Sequence, residues 1–277
     1  MLQGGEEALA GKSIISITTD FGEADHFVGV MKGVILNINP DAVIVDINHQ
    51  ISSYDIFDGA YSLAQSYHYF PPGTIHLVVV DPGVGSERRP IILQTKNYRF
   101  VAPDNGVLSY VYEREENIEV RHITASHYFL NPVSNTFHGR DIFAPVAAWL
   151  SRGVETEKFG DVITDYAKFT SPRPKWENES LLKGAVIKVD KFGNVITNIR
   201  PADVPQLFGE SQQPFRICIN GHYVTQLSRS FAEGRPSELF AIVGSSGFIE
   251  ICTNRNSAAR MLNANRGAEV EVTLRTH

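Results

Sequence analysis

The chain has 277 residues, 43% hydrophobic and 20% charged, the balance of an ordinary globular protein with room for one large domain or two moderate ones. Its net charge of −6 argues against a surface built for nucleic acid or an anionic membrane, and no apolar run approaches the ~20 residues a bilayer core requires. Two cysteines, Cys218 and Cys252, are too few for a disulfide scaffold and lack zinc spacing, so they read as reduced thiols of a cytoplasmic protein.

The first dozen residues carry two glutamates and no apolar core, unlike a signal peptide, and read as a frayed leader. "SIISITTDFG" (13–22) then reads as a strand ending near Asp20. "HFVGVMKGVILNINP" (26–40) has apolar residues at helical spacing, with Pro40 just past the end. "AVIVDIN" (42–48) is a second buried-type strand, 55–73 a second helical pattern halted by Pro71 and Pro72, and "TIHLVVVD" (74–81) a third strand. This alternation predicts an α/β layer with a largely parallel sheet. A hairpin over "IILQTKNYRFVAPDNG", a short helix, and a helix over 139–153 closed by Gly153 follow.

A polar, proline-bearing stretch at 166–183 reads as a linker. Beyond it, short alternating runs separated by Gly, Asn or Ser predict a small antiparallel β-barrel. The expected organisation is therefore an α/β domain over 13–165, the linker, and a β-barrel domain over 184–277.

Sites in open α/β sheets gather at the carboxyl ends of strands, and three strands here end in Asp20, Asp46 and Asp81. Aspartates also serve as turn and cap residues, so each alone says little. "DPGVGSERRP" (81–90) is more pointed. It lacks the GxxxxGK of a phosphate loop, Arg88 stands where a dinucleotide fingerprint needs its third glycine, and Pro90 leads into a strand instead of a helix. What remains is a tight bend that can fold Arg88 back to Asp81, as a plain ion pair or as an oriented carboxylate.

"FHGRD" (137–141) places His138 before a helix, with Gly139 allowing close approach and Asp141 favoured by the helix dipole. No GxSxG occurs, and neither cysteine sits by a helix start with a histidine. Asp20, Asp25, His26, Asp46, His49, Asp81 and His138 could furnish metal ligands, although no HExxH or close HxH pattern joins them. In the second domain, "KVDKFGNVITNI" and "GSSGFIEICTN" offer Asn194, Asn198, two serines and Glu250, groups suited to base edges or amino-acid carboxylates.

Taken together, "TTDFG", "VVVDPGVGSERR", "FHGRD", "DKFGNVITNI" and "GSSGFIEI" resemble, in order from about residue 13 to the C-terminus, the S-adenosyl-L-methionine (SAM) hydroxide adenosyltransferases. These SAM hydrolases are relatives of fluorinating and chlorinating enzymes that use the same substrate. The resemblance implies an N-terminal α/β domain, a C-terminal β-barrel and a homotrimer that binds substrate between the N-domain of one subunit and the C-domain of its neighbour. It implies cleavage of SAM to adenosine and methionine with no metal and no cofactor.

By position, Asp81, Arg88 and His138 match the family's catalytic residues. Asp20 matches the ribose clasp, with Asp25 in the same loop, and Tyr54 stands at the methionine end. Phe137 joins the substrate set from the FHGRD motif. Asp190 and Ser245 match positions on the methionyl or nucleoside groups, and Asn194, Glu250 and the Thr253 backbone match the adenosine side. Asp81 replaces a tyrosine of the fluorinating enzyme and Gly139 its halide-binding serine, which points to water as nucleophile.

Expulsion of a neutral thioether needs no general acid. The expectation is that Asp81 orients the water and that a proton leaves late, with His138 as candidate acceptor. A metal-dependent hydrolase of a nucleoside-type substrate and a non-catalytic nucleoside or SAM sensor are the alternatives.

Overall fold

The computed structural model describes residues 12–209 and 213–274, in two compact units that divide between Thr170 and Ser171. The expected leader over residues 1–11 lies outside the described residues.

The first unit is a six-stranded mixed sheet in the order β2-β1-β3-β5-β4-β6. β1 (Ile14–Thr19), β2 (Val43–Asn48), β3 (Ile75–Val79) and β5 (Arg99–Pro103) run parallel, while β4 (Pro90–Gln94) pairs antiparallel with β5 and with β6 (Glu119–His122). The near-continuous apolar strands follow from cover on both faces. Ile75, Leu77 and Val79 of β3 point into a core shared with α1 (Phe27–Ile38) and α4 (Ala144–Ser151). Val78 and Val80 alternate into a second core with Leu63 of α2 (Ile56–Ala64) and Val111 of α3 (Ser109–Arg114). The helical spacing of Val28, Met31 and Ile35 is the buried face of α1.

The second unit is an eight-stranded antiparallel sheet curled into a near-closed barrel, in the order His222–Val224 (β11), Phe215–Ile219 (β10), Glu269–Leu274 (β14), Leu181–Val189 (β8), Val195–Thr197 (β9), Ile249–Thr253 (β13) and Leu239–Val243 (β12), with Lys175–Asn178 (β7) beside β8. Its interior is filled by alternate residues such as Val186, Val195, Ile217, Ile251 and Val272. A short helix, α5 (Ala258–Leu262), is capped by the Ser257 side chain.

The stretch read as a linker carries structure at both ends. The Ala167 N–H donates to Asp104 Oδ1 at 2.6 Å, and Phe169 lies 4.2 Å from the Phe57 ring. β7 (Lys175–Asn178) pairs with β8 (Leu181–Val189), and the Trp176 indole donates to the Asp203 carbonyl. Polar composition hides these anchors because each depends on a single contact with a distant segment. Among the described residues, no helix is long and apolar enough to cross a membrane.

Candidate active site

The chain leaves β1 through α1 to β2 on one side, then returns through α2 to β3 on the other. β1 is therefore the point at which the winding reverses, and open α/β sheets gather their sites at such a point, outside the carboxyl ends of the strands. Asp20 follows the last residue of β1, and Asp81 comes two residues after β3. Burial pushes the Asp20 carboxyl above its ordinary range. The Tyr54 N–H, donated to Oδ2 at 2.8 Å, opposes that rise, and the Asp81 charge adds to it.

Asp46 does not share this place. It is the fourth residue of edge strand β2, with its side chain on Lys32 at 2.5 Å and 3.0 Å from His49. The sequence reads it as a strand end because polarity appears there, but an edge strand with one face in water continues through a charged residue.

Arg88 folds back as its spacing predicts. Nε lies 2.9 and 3.0 Å from the two Asp81 oxygens and Nη2 2.5 Å from Oδ2, with side chains only 8% and 5% exposed for Arg88 and Asp81. The same Nη2 lies 2.7 Å from His138 Nδ1. A guanidinium can only donate, so Nδ1 accepts and the neutral ring carries its proton on Nε2. Burial, and then the Arg88 charge, hold His138 below the usual histidine range, while Asp81, Asp141 and a hydrogen bond with the Ser134 backbone pull the other way.

The glycines serve this geometry. A Cβ on Gly83 would meet Arg88 Cγ at 3.2 Å. Gly85, at φ +78°, rests on the Asn135 carbonyl, 2.3 Å from where its Cβ would stand. Its close approach is thus to the loop that carries His138. Gly139 likewise answers to packing, since a Cβ there would lie 3.1 Å from Phe137 and 3.2 Å from Met31 Sδ.

Phe137, expected against substrate, is 8% exposed and packs edge-on to Phe21 and Phe27 at 5.8 and 5.2 Å. It ties the Asp20 loop to the His138 loop. Residues Gly139–Phe143 form one π-helical turn that runs into α4, a departure from the expected continuous helix. Tyr54 is 74% exposed at φ +66°, a backbone state costly for a non-glycine residue and held by the bond to Asp20. Asp25 is exposed on the loop after Asp20. The candidate metal ligands do not converge: among the described residues no three His, Cys, Asp or Glu side chains form a metal-holding group.

In the second unit, Asp190 organises the β8–β9 turn. Its Oδ1 accepts from the Phe192 and Asn194 N–H groups at 2.9 and 2.8 Å, and Oδ2 from the Asn194 amide at 2.8 Å. The Asn194 backbone carbonyl in turn accepts the Asp190 N–H at 3.0 Å, which closes the turn. Glu250 on β13 (Ile249–Thr253) is 7% exposed and takes the Ser246 hydroxyl at 3.2 Å. Burial pushes its carboxyl up, the Ser246 bond opposes this, and Asp190 adds to the rise. Gly244 leaves the space this carboxylate fills, because a Cβ would sit 1.8 Å from Oε1.

Ser245 is exposed at the hairpin tip, whereas the Thr253 side chain is buried. Asn198 is spent on structure, donating to Pro172 and accepting from the Ala185 N–H. One residue escapes the sequence reading. Phe192 holds its ring 76% exposed at the tip of the turn that orients Asn194, and the signal was an aromatic between Lys191 and Gly193 in a polar turn.

Comparison with known proteins bears on this arrangement. Residues 15–160 match the model of the SAM hydroxide adenosyltransferase N-terminal domain and residues 184–271 that of its C-terminal domain. The chain is 35% identical over 269 residues to the (R)-S-adenosyl-L-methionine hydrolase of Methanocaldococcus jannaschii, covering 94% of this chain and 95% of that one. It is 26% identical over 292 residues to a fluorinase of Actinoplanes sp., covering 95% and 98% of the two chains. A crystal structure of an uncharacterized conserved protein from Thermotoga maritima aligns with TM-score 0.86 at 38% identity, over 94% of this chain and 99% of that one.

Proposed function

This chain belongs to the SAM hydroxide adenosyltransferase family, and from that premise we propose that it hydrolyses SAM to adenosine and L-methionine by in-line attack of water at C5′. The observation that carries the reading is the Asp81–Arg88–His138 group beside Asp20, at the reversal point of the sheet.

The reaction forms a C5′–O bond and breaks the C5′–S bond, whose electron pair leaves on neutral methionine. The sulfonium charge ends as one released proton. No acid is needed at the leaving group, and no developing phosphate or oxyanion charge calls for a metal. The protein's task is to hold one water in line, and such orientation can remove several kcal/mol, of order 7–11 at best, from a barrier.

Asp81 is fitted to that task. Its carboxylate is fixed by the Arg88 fork, and Oδ1 keeps lone-pair capacity for a water O–H. The proton path in this reading runs first to Asp81. The His138 lone pair accepts from Arg88, which leaves it poorly placed to take a proton from water. Asp81 then becomes the first acceptor. A carboxylate is a weak base, but the attacking water becomes a strong acid as its bond to carbon forms, so a weak base suffices late in the step.

Asp20 accepts the ribose hydroxyls, Tyr54 lies at the methionine end and Asp25 at the loop edge. The barrel unit's Asp190, Asn194, Ser245, Glu250 and Thr253 serve the nucleoside and methionyl groups, with Phe192 as a stacking face. A homotrimer of the cytoplasm completes the reading. Chelator-treated protein given SAM of each sulfonium configuration tests it. Equimolar adenosine and methionine are expected from at least one epimer. Turnover that returns only with added metal, or tight binding with no product, would contradict it.

A further inference from the structure

We infer that Asp141 is a positioning residue for Asp81, Arg88 and His138, acting through the Ser134 peptide, on the hydrolytic reading of that group. Asp141 is 0% exposed within the π-helical turn. A buried carboxylate is costly unless donors meet it. Its Oδ2 accepts the Ser134 N–H at 2.8 Å, and Arg140 donates to Oδ1 at 2.6 Å and to Oδ2 at 2.9 Å. The Asp141 carbonyl accepts the Leu130 N–H at 2.8 Å. The segment from 130 to 134 is thereby tied at two points to the turn that follows His138.

That segment shapes the catalytic group from both sides. It leads directly into the loop that carries His138, and the adjoining Asn135 carbonyl is the surface on which Gly85 rests. One carboxylate therefore anchors the loop that leads to His138 and the wall that bends the Arg88 loop. The Arg140 pair alone does not account for burying an acid here. The Arg140 side chain is 35% exposed, and pairs with that access to water contribute little. The contact that demands a buried acceptor is the Ser134 N–H.

Alanine leaves that N–H unpaired, whereas asparagine keeps one oxygen for it, with Arg140 free to turn to water. Displacement of a positioned group by about 1 Å can cost ~100-fold in rate. Asp141→Ala is expected to lower kcat at least tenfold with KM for SAM within twofold of wild type. Asp141→Asn should fall at least threefold less. Long-range proton–nitrogen spectra of the His138 ring should show the Nε2–H tautomer in wild type and altered ring signals in Asp141→Ala.

If the alanine variant does not fold, Asp141→Ser, whose hydroxyl stops short of Ser134, takes its place with the same expectations. A folded variant with kcat within twofold of wild type, a loss confined to KM, or unchanged ring signals would overturn the role. Wild type run alongside separates the two claims: its failure to release adenosine would overturn the hydrolytic reading, while the ring spectra would still decide the positioning one.

Discussion

Replacing Gly85 by alanine isolates what the glycine bend does. At φ +78° any side chain meets the left-handed penalty, ~1–2 kcal/mol, and that part is a stability effect. The second part is displacement. The new Cβ would lie 2.3 Å from the Asn135 carbonyl oxygen, where ordinary contact begins near 3.4 Å, so the two loops must part by about 1 Å. Arg88 rides on one of those loops and His138 on the other, with 2.7 Å between Nη2 and Nδ1. A shift of that size breaks the bond and turns the Asp81 fork, at a cost of ~100-fold in kcat.

Gly153→Ala supplies the control. Gly153 has φ +87° with open space where its Cβ would stand, so it meets the same backbone penalty without a clash. Denaturant melts and steady-state kinetics should show a loss of stability in both variants, at least as large in Gly85→Ala, and a collapse of kcat in Gly85→Ala alone. Gly85→Ala with kcat within threefold of wild type would refute the reasoning that this glycine sets the Arg88–His138 contact.

Arg88→Lys keeps a charge beside Asp81 but loses the fork that serves Asp81 and His138 together, so a melt near wild type with kcat down ~10–100-fold is expected. Asp20→Asn, tested by product inhibition with adenosine and 2′-deoxyadenosine, should weaken adenosine far more than the deoxy analogue, because a neutral amide is the poorer acceptor for a ribose diol. His76 is fully buried, accepts or donates at Ser16 Oγ at 2.6 Å and stacks on Phe100, and burial lowers its folded pKa to about 3 from 6.5. The unfolded ring takes a proton near pH 6.5 and the folded one does not, so stability is complete above that pH and falls between 6.5 and 3 by up to ~1.4 kcal/mol per pH unit. Urea melts across that window should show the slope in wild type and a flatter profile in His76→Phe.

The layers and the central acid were legible because they depend on local pattern. Apolar runs cut off at Asp20 and Asp81 identify strands of a buried sheet, and seven residues of glycine-rich bend suffice to return Arg88 to its partner. What escaped depends on contacts between distant segments. Gly139 reads as room for close approach, yet its neighbours are Phe137 and Met31, and the Gly85 bend abuts Asn135. Phe137 adjoins His138 in sequence, and its edge-on packing against Phe21 and Phe27 joins segments more than a hundred residues apart. Asp46 marks the polar face of an edge strand, which in sequence looks the same as a strand's end. Asp141 looked like a dipole partner until its burial and its bond to Ser134 showed what it holds.

The most direct test of the central claim is turnover of SAM in oxygen-18 water, with both products weighed by mass spectrometry. The account predicts adenosine carrying one heavy oxygen at its 5′ position and unlabelled methionine, since water attacks carbon and sulfur leaves with its electrons. Unlabelled adenosine, or a thioether nucleoside formed alongside a labelled amino-acid fragment, would place the broken bond elsewhere and contradict it.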